Sequence, residues 1–410
     1  MPENLALQSA LKNFNQPNGE LVVGGRKISF WAEKYGTPLY IYDRNIIHSK
    51  FESLKALSSD LKIHYAVKAN PNPDIIREMS QYCSGFDVAS KGELKRIIDA
   101  GINPECVNFA GPGKTLEELR FAIEHNIGSI SIENPKEFDY IEQICSSLHK
   151  TVSVLVRINP PFELAQSGVR MGGGPKQFGV DSEIAGELIL RIMSSKQVKF
   201  RGIHIFAGTQ NLSVDELSFT FDKILDYASQ LQETETIPLE VLNMGGGFGI
   251  PLHAHEKEID IESLVENINS LIEKYRKLLP DTKFILELGR FLVGECGIYL
   301  CRVLYKKVSR GQIFLIMDGG LHHHLAASGN FGQSLIRRPM PITVVNKLDA
   351  PLQRAHVVGP LCTPLDTFGF IDLPEAEEGD LIGVLNSGAY AFSASPQLFL
   401  SHPSPKEILV

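Results

Sequence analysis

Apolar and polar residues follow one another along most of the chain in a pattern that predicts short strands separated by amphipathic helices. Eight apolar runs stand out: LKIHYAV (61–67), SGFDV (84–88), CVNFA (106–110), SISI (129–132), VSVLVRI (152–158), RGIHIF (201–206), LEVLNM (239–244) and FILEL (284–288). The stretches between them, such as NPDIIREMSQY and SKGELKRIIDA, place apolar residues three and four positions apart behind polar residues suited to helix capping. Eight strand and helix units in succession predict a closed α/β barrel, a (β/α)8 barrel of the TIM type, over residues 45–287.

Beyond Glu287 the pattern changes to β-type runs without regular helices between them. These runs are ECGIYLCRVLYKKVS (295–309), GQIFLIMDGG (311–320), PMPITVVNK (339–347), HVVGPLC (356–362), DLIGVLN (380–386) and QLFLSHP (397–403). They predict a C-terminal antiparallel β domain over residues 288–410. The segment 1–44 contains the run PLYIYD (38–43), which can add a strand to either part, and we expect this segment to pack with the β domain. A chain of 410 residues is long enough for two domains.

The net charge and the N-terminal sequence indicate which partners and which location to expect. The formal net charge is −8 and the pI is about 5.9, and because no long basic run occurs, we expect neither nucleic acid nor an anionic membrane as a partner. The N-terminus MPENLALQSALKNFN lacks the basic start and apolar core of a signal peptide, and no stretch reaches the ~18 apolar residues of a membrane span. We therefore expect a cytoplasmic protein.

Cysteine and histidine spacing gives no metal or disulfide framework. The six cysteines form no CxxC pair, so we expect reduced thiols. Histidines occur at His322, His323 and His324 and at His253 and His255, but they lack the paired, helix-spaced ligands of a metal site. We predict no metal and polar loop packing for these histidines.

Three features at predicted strand ends carry candidate chemistry. Lys68 follows the first strand in HYAVKANPN (64–72), a glycine run follows the seventh, and Glu287 ends the eighth together with Arg290 in ELGRF (287–291). Active sites of TIM barrels lie at the C-terminal ends of the strands. For each feature a structural alternative stays open: a surface lysine, a tight turn that needs glycine, and a structural Glu–Arg pair.

One ligand uses all three features together. An aldehyde bonds to the Lys68 amine, consecutive glycines let backbone N–H groups approach a phosphate, and a carboxylate such as Glu287 holds a protonated pyridine nitrogen. Pyridoxal 5′-phosphate carries an aldehyde, a phosphate and a pyridine ring, and it stabilises a carbanion at Cα of an amino acid. The residues therefore predict a pyridoxal-phosphate enzyme.

The motifs resemble those of the fold-type III pyridoxal-phosphate decarboxylases, the family of diaminopimelate, ornithine and arginine decarboxylases. The matching segments are YAVKAN (65–70), GFDVASKGEL (85–94), GIHIFAGTQ (202–210), NMGGGFG (243–249), ELGR (287–290), VVGPLCTPLD (357–366) and SGAYAFS (387–393). Each is short, but their order and spacing across nearly the whole chain are specific. The resemblance implies an alanine racemase-like fold and carboxy-lyase activity.

The resemblance also implies roles for single residues. It implies that Lys68 bonds covalently to the cofactor and that Glu287 pairs with its ring nitrogen, while Asp87 either supports the cofactor site or is a structural carboxylate. The residues that it assigns to the phosphate and its surroundings are Gly245, Gly246, Gly247, Gly289, Arg290, Thr209 and Tyr390.

Cys362 matches the family cysteine that protonates Cα after carbon dioxide leaves. In the family this cysteine acts in the active site of the neighbouring subunit, so the resemblance implies a homodimer with shared active sites. Without the resemblance, Cys362 is interpreted as a small buried hydrophobic residue.

Two positions depart from the family pattern. The family usually has a histidine against the cofactor ring where this chain has Phe206, which can stack on the ring but brings no imidazole, and His204 lies two residues earlier on the same strand face. Members that act on free diamino acids carry Asp or Glu directly after the cysteine, where this chain has the neutral Thr363.

The substrate prediction follows from the second departure. A distal ammonium group without a partner carboxylate is costly to bury, although Asp366 can stand in for one. Together with Arg290 and Tyr390, we expect Thr363 and Asp366 to contact the substrate. The motif GPLCTP and the ending FLSHPSP (399–405) resemble a branch that acts on conjugated or carrier-protein-tethered amino acids in secondary-metabolite or siderophore pathways, which we predict first. Diaminopimelate is the alternative.

The fold is also compatible with two other functions. A racemase and a non-catalytic, cofactor-binding regulator of the same fold are alternatives, but the chain keeps the lysine, the cysteine and the β domain of a decarboxylase. The glycine-rich loop SGVRMGGGPKQFGVD (167–181), with Arg170 and Lys176, is interpreted as a lid over the active site, as an anion contact or as a plain connection.

Overall fold

The computed structural model describes residues 4–162, 169–170, 172–234, 237–328 and 339–410. Its contacts divide the chain into two units. The first, here called the β unit, comprises Met1–Lys50, Ile250–Glu258 and Arg290–Val410. The second, the barrel unit, comprises Phe51–Gly249 and Ile259–Gly289.

Helices and strands are numbered in chain order within these described ranges. The helices are α1 Leu5–Lys12, α2 Ile28–Tyr35, α3 Arg44–Ser53, α4 Pro73–Met79, α5 Lys91–Asp99, α6 Leu116–Glu124, α7 Pro135–Leu148, α8 Ser182–Met193, α9 Val214–Thr234, α10 Ile261–Arg276 and α11 Arg290–Val293. The strands are β1 Val22–Val23, β2 Arg26–Lys27, β3 Leu39–Tyr42, β4 Leu61–Ala66, β5 Gly85–Val88, β6 Val107–Phe109, β7 Ser129–Ile132, β8 Val152–Asn159, β9 Val169–Arg170, β10 Val180–Asp181, β11 Val198–His204, β12 Gly208–Thr209, β13 Val241–Gly246, β14 Lys283–Leu288, β15 Gly297–Ser309, β16 Gln312–Met317, β17 Ile342–Val344, β18 Leu352–Val358, β19 Thr367–Pro374, β20 Leu381–Val384 and β21 Lys406–Leu409.

The barrel unit is a closed parallel barrel. Its strands follow the order β4-β5-β6-β7-β8-β11-β13-β14, and β14 pairs with β4 to close the ring. The short strand β10 pairs in parallel with the last residues of β8. All eight strands that the sequence predicts are confirmed, and the predicted (β/α)8 fold with them. These strands are buried, as expected when helices cover the outside of a parallel sheet and side chains fill its inside.

Polar residues at the strand ends start the helices that return along the barrel. The Asn72 side chain accepts hydrogen bonds from the first turn of α4, and Ser90 does the same for α5. Thr115 and Glu118 form a reciprocal capping box at the start of α6. These caps define where each helix begins. The loops that follow the C-terminal ends of β4, β5 and β6 are therefore short and end at a fixed residue.

The β unit contains one mixed sheet with the order β17-β20-β15-β16-β18-β19, with β3 beside β15 and β21 beside β3. Most neighbours are antiparallel, as predicted, but β16 with β18 and β3 with β21 are parallel. The run QLFLSHP forms a 3-10 turn over Phe399–Ser401 instead of a strand, and Leu398 is 90% exposed. Conversely, β19 and β21 lie outside the predicted runs, since Gly369 and Pro374 in the first and Pro405 before the second indicate turns.

Across the described ranges, none of the helices has the length and apolar character that crossing a membrane requires.

Candidate active site

Lys68 lies in a single 3-10 turn, Val67–Ala69, directly after β4. The turn is held from behind, because the Tyr65 hydroxyl donates to the Asn70 carbonyl at 2.9 Å. The Lys68 amine is 3.0 Å from Glu287 Oε1, and its side chain is 41% exposed. Lys68 thus stands at the C-terminal face of the barrel with its amine against a carboxylate.

Glu287 is a buried carboxylate between two basic side chains. Lys68 approaches one oxygen, and His204 Nε2 lies 3.3 Å from the other, Oε2. Burial on its own raises the pKa of Glu287, but the charge of Lys68 and the contact with His204 outweigh it and hold that pKa well below its ordinary value. Glu287 is therefore an ionised acceptor in a dry site.

Phe206 covers the amine of Lys68, with Nζ 5.1 Å from the ring centroid. Its ring also packs on the glycine run, because a Cβ added to Gly245 would come within 2.8 Å of Phe206 Cδ2. His204, in contrast, turns into the barrel toward Glu287. Of these two candidate stacking residues, Phe206 is the one that lies against Lys68.

The glycine run after β13 is packed against backbone on both sides. A Cβ on Gly246 would lie 2.2 Å from the Glu287 carbonyl oxygen, and one on Gly247 equally close to that of Gly208. Gly247 also has a φ of +88°, which disfavours residues with a Cβ. The Gly245 N–H donates to Asn243 Oδ1 at 2.9 Å. Close approach of the backbone is therefore a structural requirement at this loop.

Asp87 and Thr209 are two further predicted site residues of the barrel unit. Asp87 is buried in the barrel interior, where Oδ1 accepts from Asn108 Nδ2 at 2.7 Å and Oδ2 lies 3.3 Å from His64 Nδ1. Thr209 belongs to β12, which pairs with β9. The predicted lid loop 167–181 is thereby tied to the loop after β11, although residues 167, 168 and 171 lie outside the described residues.

In the β unit, Arg290 and Tyr390 lie together. The guanidinium carbon of Arg290 is 4.6 Å from the centre of the Tyr390 ring, and Tyr390 has a φ of +53°. Burial lowers the pKa of Arg290, and its Nε has no hydrogen-bond partner within the part of the chain that the structure describes. A buried donor of this kind is suited to an anion.

The segment GPLCTPLD forms a loop between β18 and β19. Cys362 is exposed, and Thr363 Oγ1 accepts from the Leu365 N–H at 3.3 Å. Asp366 is buried, and its oxygens accept from the backbone N–H groups of Leu321 at 2.7 Å and Leu361 at 2.8 Å. Asp366 thus joins the DGGLHHH segment to the cysteine loop.

The three consecutive histidines are neutral and buried. Burial lowers the pKa of His322 and His324 to about 3 and that of His323 to about 4. His323 contacts the Tyr299 hydroxyl and the Pro403 carbonyl, and His324 contacts Ser387. No group of three or more His, Cys, Asp or Glu side chains within the described ranges is placed to hold a metal ion.

Several polar residues near the site escaped the sequence analysis. Ser131 contacts both His204 and Asn108 inside the barrel, and Glu133 forms a buried ion pair with Arg157, with Oε1 2.9 Å from Nη1. Each interrupts or directly follows an apolar strand run, as Ser131 does in SISI. A polar residue inside a fully buried strand is a signal that could have identified them.

The residues fit the predicted cofactor. The barrel unit supplies an amine at Lys68, an ionised and buried acceptor at Glu287, and the aromatic ring of Phe206. The β unit, taken by itself, contains the buried Nε of Arg290, which has no hydrogen-bond partner among the described residues and suits an anion such as a phosphate. An aldehyde, a protonated pyridine nitrogen and an aromatic ring match these three groups of the barrel unit in turn.

Comparison with known proteins gives the same assignment. The family model for the pyridoxal binding domain of pyridoxal-dependent decarboxylases matches residues 44–294 of this chain. An L-glutamyl-[BtrI acyl-carrier protein] decarboxylase of Niallia circulans is 36% identical over 388 residues, 93% of this chain and 91% of the relative. A 2-[(L-alanin-3-ylcarbamoyl)methyl]-2-hydroxybutanedioate decarboxylase of Staphylococcus aureus is 30% identical, over 92% of this chain and 95% of that protein.

A solved structure extends the likeness to the whole fold. Diaminopimelate decarboxylase from M. jannaschii, crystallised with L-lysine, superposes with a TM-score of 0.87 at 26% identity, covering 97% of this chain and 92% of that one. The chain belongs to the pyridoxal-dependent decarboxylase family. Its cofactor is pyridoxal 5′-phosphate, and its class of reaction is that of a carboxy-lyase.

Proposed function

We propose that this chain decarboxylates an amino acid whose side chain is joined to a carrier protein or to another small molecule. An α-decarboxylase needs a free α-amine and a free α-carboxylate, so the joint is made through the side chain. The observation that carries the proposal is the cysteine loop, where Thr363 is neutral and both Asp366 oxygens accept backbone hydrogen bonds. Residues 359–366 contain no other acid. A free distal ammonium group would lack a carboxylate there, which is costly.

The relatives support this substrate class. The name of the Niallia circulans enzyme specifies an L-glutamyl group on an acyl-carrier protein, and that of the Staphylococcus aureus enzyme an alanin-3-ylcarbamoyl conjugate. Neither name describes a free diamino acid. Diaminopimelate is the second candidate, favoured by the likeness to the M. jannaschii enzyme.

Within the barrel unit, we assign the covalent bond to the cofactor to Lys68. Pyridoxal phosphate, when bound, supplies an electron-withdrawing ring that weakens the bond between Cα and the carboxylate of an amino acid. Glu287, a buried carboxylate whose pKa Lys68 and His204 hold below its ordinary value in this structure, would accept the hydrogen of the ring nitrogen. Phe206 would pack against the cofactor ring in place of an imidazole, and Asp87 would support the site from inside the barrel.

We assign the phosphate to backbone and side-chain donors at the ends of β13 and β14. The Gly245 N–H already donates to Asn243, so Gly246 and Gly247 are the donors within this loop. The Gly289 and Arg290 backbone adds N–H groups. We also assign the side chains of Thr209, Arg290 and Tyr390 to the phosphate, and Arg290 and Tyr390 to the α-carboxylate of the substrate.

We propose that Cys362 donates the proton that replaces the carboxylate at Cα, in the active site of a second copy of the chain. Its exposure in the single chain supports this assignment, since a thiol that serves a neighbouring subunit has to lie on the surface. The protein would then be a homodimer with shared active sites. Thr363, next to Cys362, contacts the substrate side chain, and Asp366 holds the loop in place.

A substrate panel tests the proposed function. Carbon dioxide release is measured with four compounds: a γ-glutamyl thioester on an acyl-carrier protein, a side-chain amide of a diamino acid, free glutamate and free meso-diaminopimelate. We expect the tethered or amide-linked compounds to be preferred in kcat/KM by roughly 100-fold or more over both free amino acids. Preference for diaminopimelate would replace the first proposal with the second.

The control for this panel separates substrate choice from mechanism. Lys68→Ala removes the covalent attachment point and should abolish carbon dioxide release with every compound. Lys62→Ala, which changes an exposed lysine on the same strand, should leave the release unchanged. Release by Lys68→Ala at the wild-type rate contradicts the assignment of Lys68.

A further inference from the structure

A row of polar side chains runs through the barrel interior behind Glu287. His204, Ser131, Asn108 and Asp87 are each more than nine-tenths buried. Ser131 Oγ lies 3.1 Å from His204 Nδ1 and 3.1 Å from Asn108 Nδ2, and Asn108 Nδ2 lies 2.7 Å from Asp87 Oδ1. Because buried polar groups must be paired, the donors and acceptors along this row follow one from another.

The assignment starts at Asp87, whose carboxylate oxygens only accept. The Asn108 group at 2.7 Å from it is therefore the NH2, and the amide oxygen points the other way. The Ser129 hydroxyl agrees with this orientation, since it donates to Asn108 Oδ1 at 2.8 Å. Asp87 alone fixes the Asn108 amide, and the Ser129 contact is consistent with that orientation.

The second N–H of Asn108 then determines the direction of the Ser131 hydroxyl. It donates to Ser131 Oγ, which leaves the Ser131 hydrogen for His204 Nδ1. A ring nitrogen that accepts a hydrogen bond carries no hydrogen of its own, so the hydrogen of a neutral His204 is on Nε2. Nε2 lies 3.3 Å from Glu287 Oε2, outside hydrogen-bond geometry within the described residues, and a bare lone pair at that distance would be repelled by the carboxylate.

One other arrangement satisfies the same distances. Ser131 also lies 3.2 Å from Asn108 Oδ1 and can donate there. Nδ1 of His204 would then have to donate to Ser131. Nε2 would still need its own hydrogen, because a bare lone pair there would be repelled by Glu287, so His204 would be an imidazolium. Lys68 already supplies one positive charge to Glu287, and a second cation in the same dry space is costly. The neutral arrangement is therefore favoured.

We propose that Ser131 is a positioning residue that holds His204 as the neutral tautomer with its hydrogen on Nε2. A neutral donor supports the Glu287 carboxylate without cancelling its charge. That charge is what a protonated pyridine nitrogen requires, whereas an imidazolium beside Glu287 would compete with it. The purpose assigned to Ser131 rests on the proposed function, but the tautomer is a property of the protein alone.

The test uses the ring nitrogens of the full-length chain labelled with 15N-histidine. Nitrogen NMR distinguishes the two neutral tautomers and the cation, and the His204→Gln variant identifies the His204 signals. We expect the Nε2–H tautomer in the wild type between pH 7 and pH 8. A cation or an Nδ1–H tautomer in this range overturns the proposal.

Two neighbouring serines provide a matched control. Ser129 and Ser131 lie on β7 and both contact Asn108, but only Ser131 contacts His204. Ser131→Ala should mix the tautomers of His204, while Ser129→Ala and the hydroxyl-retaining Ser131→Thr should not. An equal change in Ser129→Ala and Ser131→Ala would reduce Ser131 to a structural residue and refute its positioning role.

Kinetics add a second, separate readout. Ser131→Ala should lower kcat by about tenfold with KM unchanged, because the substrate itself does not contact Ser131. If the wild type shows the Nε2–H tautomer but releases no carbon dioxide from any compound, the positioning by Ser131 stands and the proposed function fails. If the wild type is active with His204 as a cation, the reverse holds.

Discussion

The Lys68 amine lies 3.0 Å from the Glu287 carboxylate, although the two residues are 219 positions apart. They meet because β4 and β14, the first and last strands of the barrel, pair in parallel and close the ring. In that register Glu287 lies opposite His64, and Lys68 follows at the end of the same strand. Barrel closure itself therefore assembles the pair.

The Lys68–Glu287 pair should contribute to stability in a pH-dependent way. Lys68→Met leaves a buried carboxylate without its cation, and we expect a loss of about 1–2 kcal/mol in unfolding free energy at pH 7, discounted because the Lys68 side chain is 41% exposed. The pKa of folded Glu287 lies below its ordinary value, so the stabilisation is fully present above that ordinary value and is lost as the pH falls through the folded-state pKa. Urea unfolding of both proteins from pH 8 to pH 3 measures it.

The control for this prediction is a double-variant cycle. Glu287→Gln in the Lys68→Met background should recover part of the lost stability, because it removes the uncompensated charge. Lys95→Met, which breaks the exposed pair with Asp99, should cost little. Additive effects of the Lys68 and Glu287 changes would show that the two residues are not coupled.

Gly247 is expected to tolerate no side chain. In Gly247→Ala the Cβ would lie 2.2 Å from the Gly208 carbonyl oxygen at a φ of +88°, so we expect a loss of about 3 kcal/mol or more and weaker binding of pyridoxal phosphate. Gly311→Ala has a similar φ of +79° with nothing within 4 Å, and should cost only about 1 kcal/mol. Urea unfolding and cofactor titration measure the difference. Equal losses would mean that the turn conformation alone requires glycine.

The residue after the cysteine should set substrate choice. Thr363→Asp introduces a carboxylate that can pair with a distal ammonium group, so kcat/KM for free diaminopimelate should rise by roughly tenfold relative to that for the amide conjugate. Thr363→Ser keeps a neutral hydroxyl and should keep the wild-type preference. If the ratio is unchanged in Thr363→Asp, the side chain at this position does not face the distal group of the substrate.

Shared active sites predict complementation between inactive variants. Lys68→Ala and Cys362→Ala should each be impaired alone, but a heterodimer of the two contains one site with both wild-type residues. After random exchange of subunits in an equal mixture, we expect roughly a quarter of the wild-type carbon dioxide release. A mixture no more active than its parts would place Cys362 in the site of its own chain or outside the site.

The barrel was predictable because its signal is local. Each strand is a short, mostly buried apolar run followed by capping residues, so order and length alone indicated the eight strands and placed Lys68 and Glu287 at their ends. The β unit was harder to predict, since half-buried strands such as β19 contain glycine and proline that resemble turn signals.

The interior polar row could not be predicted from order and length. Ser131 and Asn108 sit in the apolar runs SISI and CVNFA, where a single polar residue looks like a tolerated exception. Which barrel residues face the same interior space depends on the register between neighbouring strands, and the sequence does not give that register. The structure supplies it and brings Asp87, Asn108, Ser131 and His204 into contact.

Asp366 holds two loops in place through their backbone and not through their side chains. Its carboxylate holds the backbone N–H groups of Leu321 and Leu361, and the side chains of Cys362 and Thr363 take no part in these two bonds. Thr363 can therefore be exchanged while these two backbone hydrogen bonds stay in place. Directed evolution for a new amino-acid substrate therefore has a variable position at Thr363 on a fixed frame, provided that Asp366 is left unchanged.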